Sequence, residues 1–432
     1  MPDSTAPIPV LDCHNDLPFA LRDRAGYSVA GLDAHREEFH TDLGRLRRGG
    51  VGAQFWSAWV PSSIPQEDAV VATLQQIDAI HRLTARYPDD LQPAHTAVDV
   101  DSALRAGRIA SLIGLEGGQS IANSLAVLRQ MFELGARYMT LTHNDDLDWA
   151  TAATGAAERQ AEADGLPGAP GARSTRGLTD EGRAVVAEMN RLGMIVDLSH
   201  TNEQTQRDAL AASRVPTLFT HSSVQSVNPH PRNVTDRVLE QIVTTDSVLG
   251  LTFVPAFVSP ALLEWTRERA QVRIDLGIDD PSAPISLTRP YQMPDAPRPG
   301  QSCEDVRAEN ARNHVEYTYG DTDAEATPEA AAALAAWEAS HPEPQATLAE
   351  VVAHLEAARE AVGITRVALG GDYDGTSSLP VGLEDVSCYQ DLLHALSDRG
   401  WSRSDLEALA HGNVLRVMRA VEDGAEAAPG DR

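Results

Sequence analysis

The chain has 432 residues, of which 42% are hydrophobic, and its formal net charge is −28. This apolar content excludes a disordered chain, and the length suits one barrel domain with insertions. Because a surface with this much negative charge repels phosphate backbones, we expect no nucleic-acid partner. Because no stretch of about 18 apolar residues occurs, we also expect no membrane partner.

The cysteines and the N-terminus indicate a cytoplasmic protein. Cys13, Cys303 and Cys388 lie far apart and include no CxxC pair. This spacing supports neither a disulfide framework nor a thiolate zinc knuckle. The first residues, MPDSTAPIPVLD, lack the basic and apolar regions of a secretory signal.

Short apolar runs alternate along the chain with longer amphipathic runs, which predicts repeated βα units. We predict strands over residues 8–11, 51–56, 110–115, 138–141, 194–198, 217–219, 248–253 and 367–369. Helical patterns cover residues 69–87, 124–134, 180–192, 203–213, 235–244 and 348–362, with closing helices at 387–397, 402–409 and 414–422. Eight such units favour an α/β fold of the (β/α)₈ TIM-barrel type. The alternative is an open doubly wound sheet, which would place a glycine-rich phosphate loop where this chain has DCHNDLP.

One stretch breaks the alternation. Between the seventh and eighth predicted strands, residues from about 260 to 345 contain no clear strand and are rich in Pro, Asp, Glu and Ala. We expect a long insertion with one or two helices over the barrel mouth, because loops of this length are uncommon in compact domains unless they are lids or disordered. Residues 1–432 are otherwise predicted to form a single barrel domain, with a frayed polar tail from about residue 422.

Residues that bind divalent cations follow several predicted strands, at the barrel end where active sites form. His14 and Asp16 follow the first strand. Because they are two residues apart in an extended segment, both side chains project to one side and can serve one ion. His200 and His221 follow neighbouring strands and can converge on a second ion. Imidazole and carboxylate ligands suit zinc.

The sequence contains no lysine, and this restricts how two cations could be bridged. Two cations a few ångströms apart repel each other unless they share an anionic ligand. Many barrel hydrolases use a carboxylated lysine as this ligand, which is excluded here. Glu116 follows the third predicted strand and precedes two glycines that allow close approach, so it is the natural bridging carboxylate.

The same segments resemble those of a known family. The chain is similar to the membrane dipeptidase (renal dipeptidase) family of the amidohydrolase superfamily in LDCHNDLP, LIGLEGGQSI, LGARYMTLTHN, GLTDEGRAVVAEMNRLGMIVDLSH, FTHSSVQSV, HPRNVTD and VALGGDYDG. Together with the later segments LEDVSCYQDLLHAL and GNVLRV, they run from the first strand to the C-terminal helices, so the resemblance covers most of the chain apart from the expected insertion. The resemblance implies a zinc-dependent dipeptidase that hydrolyses L-Xaa-L-Xaa and L-Xaa-D-Xaa dipeptides by attack of a hydroxide bridging two Zn²⁺ ions. It also implies a homodimer.

The resemblance assigns the metal ligands. It implies that His14, Asp16 and Glu116 hold one Zn²⁺ ion, while Glu116, His200 and His221 hold the other. Glu116 is thereby both a shared ligand and part of the catalytic machinery.

The resemblance also assigns residues to the substrate. It implies that His143 contacts the substrate carbonyl, that Arg232 binds the terminal carboxylate and that Asp372 is the general acid and base. These residue types suit the roles, because a guanidinium pairs with a carboxylate, an imidazole can stabilise an oxyanion and a carboxylate can move a proton. Phe257 stands where a pocket tyrosine is expected and should line the substrate pocket without a hydroxyl contact.

Two other functions remain open on the sequence alone. The first is a metal-dependent hydrolase that acts on another small amide or a lactone, or a deaminase, and a substrate screen would separate it from a dipeptidase. The second is an inactive metal-binding scaffold. Such a scaffold should lack some of the ligands, whereas all of them are present in this chain.

Overall fold

A closed, fully parallel β-sheet forms the centre of the fold. The computed structural model describes residues 7–156, 174–279, 296–298, 300–313 and 326–426. The strands are β1 (Val10–Asn15), β2 (Val51–Trp59), β3 (Leu91–Pro93), β4 (Ile109–Glu116), β5 (Ala136–Thr140), β6 (Ile195–Asp197), β7 (Leu218–Ser222), β8 (Val248–Leu251) and β9 (Val367–Leu369). Their order is β2-β1-β9-β8-β7-β6-β5-β4, and pairing of β2 with β4 closes the barrel. The predicted eight-stranded barrel is confirmed.

The strands are apolar on both faces, as expected for a parallel sheet covered by helices. All eight residues of β4 are buried. Ala110 and Leu112 of this strand belong to one apolar cluster, which also contains residues of the last helix. The alternating residues Ile113 and Leu115 belong to a second cluster, which packs against the surrounding helices. This alternation fixes which side chains at the strand ends point towards the barrel axis.

Helices follow most of the strands. They are α1 (Leu17–Ala25), α2 (Leu43–Arg48), α3 (Gln66–Arg86), α4 (Ala97–Arg105), α5 (Leu125–Glu133), α6 (Asp180–Leu192), α7 (Glu203–Ala212), α8 (Asp236–Thr245), α9 (Pro255–Val258), α10 (Pro260–Asp275), α11 (Cys303–Asn313), α12 (Pro328–Ser340), α13 (Leu348–Val362), α14 (Tyr389–Asp398), α15 (Arg403–Glu407) and α16 (Asn413–Asp423). Within the described ranges, none of these helices has both the length and the apolar content needed to cross a bilayer.

Local sequence explains where several helices begin. Thr96 and Asp99 form a reciprocal capping box at the start of α4, and Ser402 and Asp405 do the same for α15. The periodicity did not predict α1, α2, α4 or the short strand β3. β3 has three residues including a proline and pairs with β4, so it is too short to produce a period-2 signal.

The connection between β8 and β9 includes the stretch from about residue 260 to 345 that was predicted to be an insertion. The described part of this stretch holds three helices, α10, α11 and α12, where one or two were expected, and it contains no strand. α11 packs against the end of α1, where a side chain on Gly26 would collide with the backbone of Cys303. Residues 280–295, 299 and 314–325 lie outside the described residues, and so do 427–432 of the predicted tail. The position of the insertion over the mouth and the single-domain organisation stay predictions.

Candidate metal centre

Four histidines converge on one buried glutamate at the carboxyl ends of the strands. Glu116, the last residue of β4, has its Oε1 atom 3.0 Å from His200 Nε2, 3.5 Å from His221 Nε2 and 3.8 Å from His143 Nε2. Its Oε2 atom lies 3.2 Å from His14 Nε2. All five side chains are buried. The structure therefore brings together residues that are separated by up to about 200 positions in the chain.

Carboxylates surround the His14 side of this cluster. His14 Nε2 lies 3.3 Å from Asp16 Oδ2 and 3.9 Å from Asp372 Oδ1. Asp372 adopts a left-handed backbone conformation with φ of 59°, which is uncommon outside glycine and occurs often at functional sites. A side chain at Gly375 would collide with the carboxylates of both Asp16 and Asp372. Glycine at this position therefore allows the two carboxylates to approach each other.

Three of the histidines are held at their second ring nitrogen. Their Nδ1 atoms are hydrogen-bonded as follows: His14 to Tyr138 OH at 2.9 Å, His200 to Asn144 Oδ1 at 3.0 Å and His221 to Thr220 Oγ1 at 2.8 Å. In each of them the Nε2 atom is directed at Glu116. Such partners orient metal-binding imidazoles and fix their tautomers.

The donor atoms of this cluster fit a cation. Asn144 Oδ1 can only accept a hydrogen bond, so His200 carries its proton on Nδ1 and has a lone pair on Nε2. That Nε2 atom lies 2.9 Å from His221 Nε2 and 3.0 Å from a carboxylate oxygen of Glu116. Electron-rich atoms this close repel each other unless positive charge lies between them. Three sets of these residues could hold an ion: His14, Glu116 and His221; Glu116, His143 and His200; His14, Asp16 and Asp372.

Burial keeps the imidazoles next to Glu116 Oε1 neutral. It lowers the pKa of His200 and of His221 well below the usual value, with the guanidinium of Arg232 adding to the effect. Burial and the same guanidinium lower the pKa of His143 to about 3. Neutral imidazole is the form that binds a metal ion.

On the side of His14 and Asp372, the pKa values are raised instead of lowered. Burial alone would lower the pKa of His14, but the charges of Glu116 and Asp16 raise it well above its usual value. Burial, followed by the nearby charge of Asp16, raises the pKa of Asp372. Excess negative charge therefore collects on this side, where it would stabilise a bound cation.

The predicted substrate residues lie beside the imidazoles. Arg232 is buried, and its Nη2 donates a hydrogen bond to the backbone oxygen of His221 at 3.2 Å. Its guanidinium lies 5.2 Å from the centre of the Phe257 ring. That ring also packs on His230, with 4.4 Å between the ring centres. Phe257 thus contacts the predicted carboxylate-binding arginine directly.

The sequence analysis missed the residues that orient the ligands. Asn144 and Thr220 are polar neighbours of predicted site histidines, and this adjacency was a usable signal. Ser57 donates a hydrogen bond to Glu116 Oε2 at 3.0 Å. Ser57 and Tyr138 sit inside apolar strands, where an isolated polar group indicates an internal partner.

A parallel (β/α)₈ barrel that gathers imidazoles and carboxylates around one glutamate is typical of metal-dependent hydrolases. Residues 4–431 match the model of the membrane dipeptidase family, peptidase family M19. The chain belongs to this family and is a peptide-bond hydrolase. The resemblance inferred from the sequence segments is confirmed.

Individual relatives agree with this assignment. An uncharacterized dipeptidase of Schizosaccharomyces pombe is 34% identical over 428 residues, which cover 96% of this chain and 81% of that protein. A metallopeptidase from Rhodobacter sphaeroides, liganded with a phosphinate mimic of L-Ala-D-Ala, has a similar structure. It is 21% identical with a TM-score of 0.68, covering 96% of this chain and 100% of that one. The probable dipeptidase PvdM from Pseudomonas aeruginosa is 19% identical with a TM-score of 0.71, and the match covers 96% of this chain and 95% of that one. At these identities the two structures show the shared fold.

Proposed function

We propose that the chain is a zinc-dependent dipeptidase with two Zn²⁺ ions per subunit. The observation that carries this proposal is the convergence of His14, His200 and His221 Nε2 atoms on the two oxygens of Glu116, at 3.0 to 3.5 Å. Because different histidines lie at each of its two oxygens, Glu116 could be a ligand of two ions at once. Nitrogen and carboxylate donors without thiolates favour zinc among the common metals.

The proposed ligands divide into two sets. His14, Asp16 and Glu116 would hold one ion, and Glu116, His200 and His221 would hold the other. When bound, the ions would polarise the substrate carbonyl and lower the pKa of a water molecule.

The protein's own groups would orient the substrate and move the proton. Neutral His143 retains one N–H, which can donate to the carbonyl oxygen as negative charge develops there. The buried guanidinium of Arg232 can bind the terminal carboxylate through two parallel hydrogen bonds. Asp372 would accept a proton from the attacking water and deliver it to the leaving amine nitrogen.

The substrate class proposed is a dipeptide with a free C-terminal carboxylate, of L-Xaa-L-Xaa or L-Xaa-D-Xaa configuration. The second configuration is supported by the L-Ala-D-Ala mimic bound to the Rhodobacter sphaeroides metallopeptidase. The homodimer and the cytoplasmic location predicted from the sequence belong to the same proposal.

A substrate screen tests this function directly. Zinc-reconstituted enzyme would be incubated with a library of L,L- and L,D-dipeptides, with lactones and N-acylated amides as the other arm. We expect release of both free amino acids from dipeptides and none of the corresponding products from the second arm. Turnover confined to lactones or amides would replace the proposal with the alternative hydrolase. No turnover of any compound, with zinc bound, would indicate the inactive scaffold.

A further inference from the structure

Asp197 is a buried carboxylate that the proposed reaction does not use. It ends β6 and is fully buried. Its Oδ1 accepts from the backbone N–H of Ser199 at 3.1 Å and of Thr220 at 2.8 Å. Its Oδ2 accepts from the hydroxyls of Thr140 at 2.5 Å and Thr220 at 2.7 Å. Four donors from three neighbouring strand ends thus satisfy one carboxylate.

The hydroxyl of Thr220 connects this carboxylate to a histidine of the metal centre. Thr220 Oγ1 lies 2.7 Å from Asp197 Oδ2 and 2.8 Å from His221 Nδ1. A carboxylate oxygen can only accept, so the single hydroxyl proton is directed to Asp197. A second hydroxyl, Ser199 Oγ, lies at the longer distance of 3.4 Å. The Thr220 oxygen is then left to accept the proton carried by His221 Nδ1.

We propose that Asp197 and Thr220 are positioning residues that set the tautomer of His221. The chain of hydrogen bonds keeps the proton of this imidazole on Nδ1 and presents the Nε2 lone pair towards Glu116. The number of protons on the ring is unchanged, and only the nitrogen that carries the proton is selected. This inference rests on the proposed metal site, and neither Asp197 nor Thr220 is among the proposed metal ligands or substrate contacts.

Three threonine variants test the chain of hydrogen bonds. Thr220→Val removes the hydroxyl at nearly constant volume, whereas Thr220→Ser retains it. Thr140→Val is the matched control, because it deprives the same carboxylate of a hydroxyl that touches no histidine. Zinc affinity would be measured by competition with a chelator, and folding by thermal unfolding of each metal-free chain.

We expect Thr220→Val to bind zinc about 10 to 100-fold more weakly, the usual effect of losing such a partner. The zinc affinity of Thr220→Ser and Thr140→Val should remain within about threefold of the wild type. Thr140→Val should unfold at a lower temperature, because it loses the hydrogen bond to Asp197. Equal losses in Thr220→Val and Thr140→Val would overturn the proposal, because they would reflect only damage to the buried carboxylate. Wild-type affinity in Thr220→Val would overturn it as well.

Asp197→Asn should reverse the direction of the hydrogen bonds that link residue 197, Thr220 and His221, because asparagine has nearly the same shape as aspartate but carries an N–H₂ donor. The backbone N–H groups of Ser199 and Thr220 both donate to the Oδ1 position, so the amide oxygen of the asparagine must lie there. Its N–H₂ group then faces the threonine hydroxyls. Thr220 would then accept from Asn and donate to His221 Nδ1, which moves the histidine proton to Nε2.

¹⁵N-histidine NMR of the zinc-stripped protein reports this tautomer independently of activity. We expect His221 to be protonated at Nδ1 in the wild type and at Nε2 in Asp197→Asn, together with weaker zinc binding in the variant. The same tautomer in both proteins would overturn the proposal even if the threonine variants fold poorly. A wild-type protein that binds no zinc would instead refute the proposed metal function.

Discussion

The two sides of Glu116 differ in charge although they share one ligand. On one side His14 lies among the carboxylates of Asp16 and Asp372, and although burial lowers its pKa, the charges of Glu116 and Asp16 raise it. On the other side, among the residues that the structure describes, Glu116 is the only carboxylate partner of His200 and His221, and burial lowers the pKa of both. One side thus attracts a cation by negative charge and the other offers neutral lone pairs. The comparison identifies Glu116 as the residue on which both sides depend.

Removing the charge of Glu116 should produce the largest effect. In Glu116→Gln the shared oxygens lose their negative charge, so neither side retains a complete ligand set. We expect kcat/KM to fall by more than about 10⁴-fold, beyond the contribution of one acid–base group. Elemental analysis of the purified variant should also show less than the wild-type zinc content.

Ser57→Ala provides the control for this variant. It removes the hydrogen bond to Glu116 Oε2 but leaves the carboxylate in place. We expect a loss of about 1 kcal/mol or less in zinc binding, typical of one neutral hydrogen bond. If Ser57→Ala were as inactive as Glu116→Gln, the importance of Glu116 would lie in local packing and not in its charge.

Asp372→Asn separates proton transfer from metal binding on the carboxylate side. We expect kcat to fall about 10² to 10⁴-fold, the range for loss of a general acid–base group. Zinc content should stay at the wild-type level, because the proposed ligands are unchanged. Steady-state kinetics measure kcat, and elemental analysis of the same preparation measures the zinc content. Normal turnover would remove Asp372 from the mechanism, and loss of zinc would make it a ligand.

The sequence predicted the barrel, and the meeting of imidazoles and carboxylates at its strand ends, better than the contacts that hold these side chains in place. Strand periodicity and ligand types at successive strand ends depend on local sequence, so they could be identified without coordinates. The partners of the ligands could not, because Tyr138 reaches His14 across 124 positions and Ser57 reaches Glu116 across 59. Such contacts depend on how the strands are paired around the barrel. Short elements such as β3 also lack a periodic signal.

Arg232→Ala should affect substrates according to their C-terminus. A hydrogen-bonded ion pair with the terminal carboxylate contributes about 1.5 to 3 kcal/mol, which corresponds to about 10 to 100-fold in kcat/KM. We expect this loss for free-acid dipeptides, mainly through KM. Their C-terminally amidated analogues should be poor substrates of the wild type and lose little further in the variant. An equal loss for both substrate forms would show that Arg232 does not bind the carboxylate.

His354 shows what burial does to a histidine outside the metal centre. It is fully buried in α13, where Nδ1 accepts from the backbone N–H of Val224 at 3.1 Å and Nε2 lies 3.2 Å from the oxygen of Val258. A proton added to Nδ1 would face the N–H of Val224. Burial lowers the pKa of His354 from 6.5 to about 4.

This shift predicts a small effect, a dependence of the free energy of unfolding on pH. As the pH falls, the unfolded chain takes up the His354 proton first, so the folded state loses stability below the unfolded pKa of 6.5. Between about pH 7 and about pH 5.5 the loss from this residue should be about 1 kcal/mol. His354→Gln should be less stable at pH 7 but lack this part of the pH dependence. Urea unfolding at both pH values, with zinc removed, measures the difference, and parallel slopes for the two proteins would refute it. Both proteins retain the histidines around Glu116, so the difference between their pH dependences reports the burial of His354 and not the charges near Glu116.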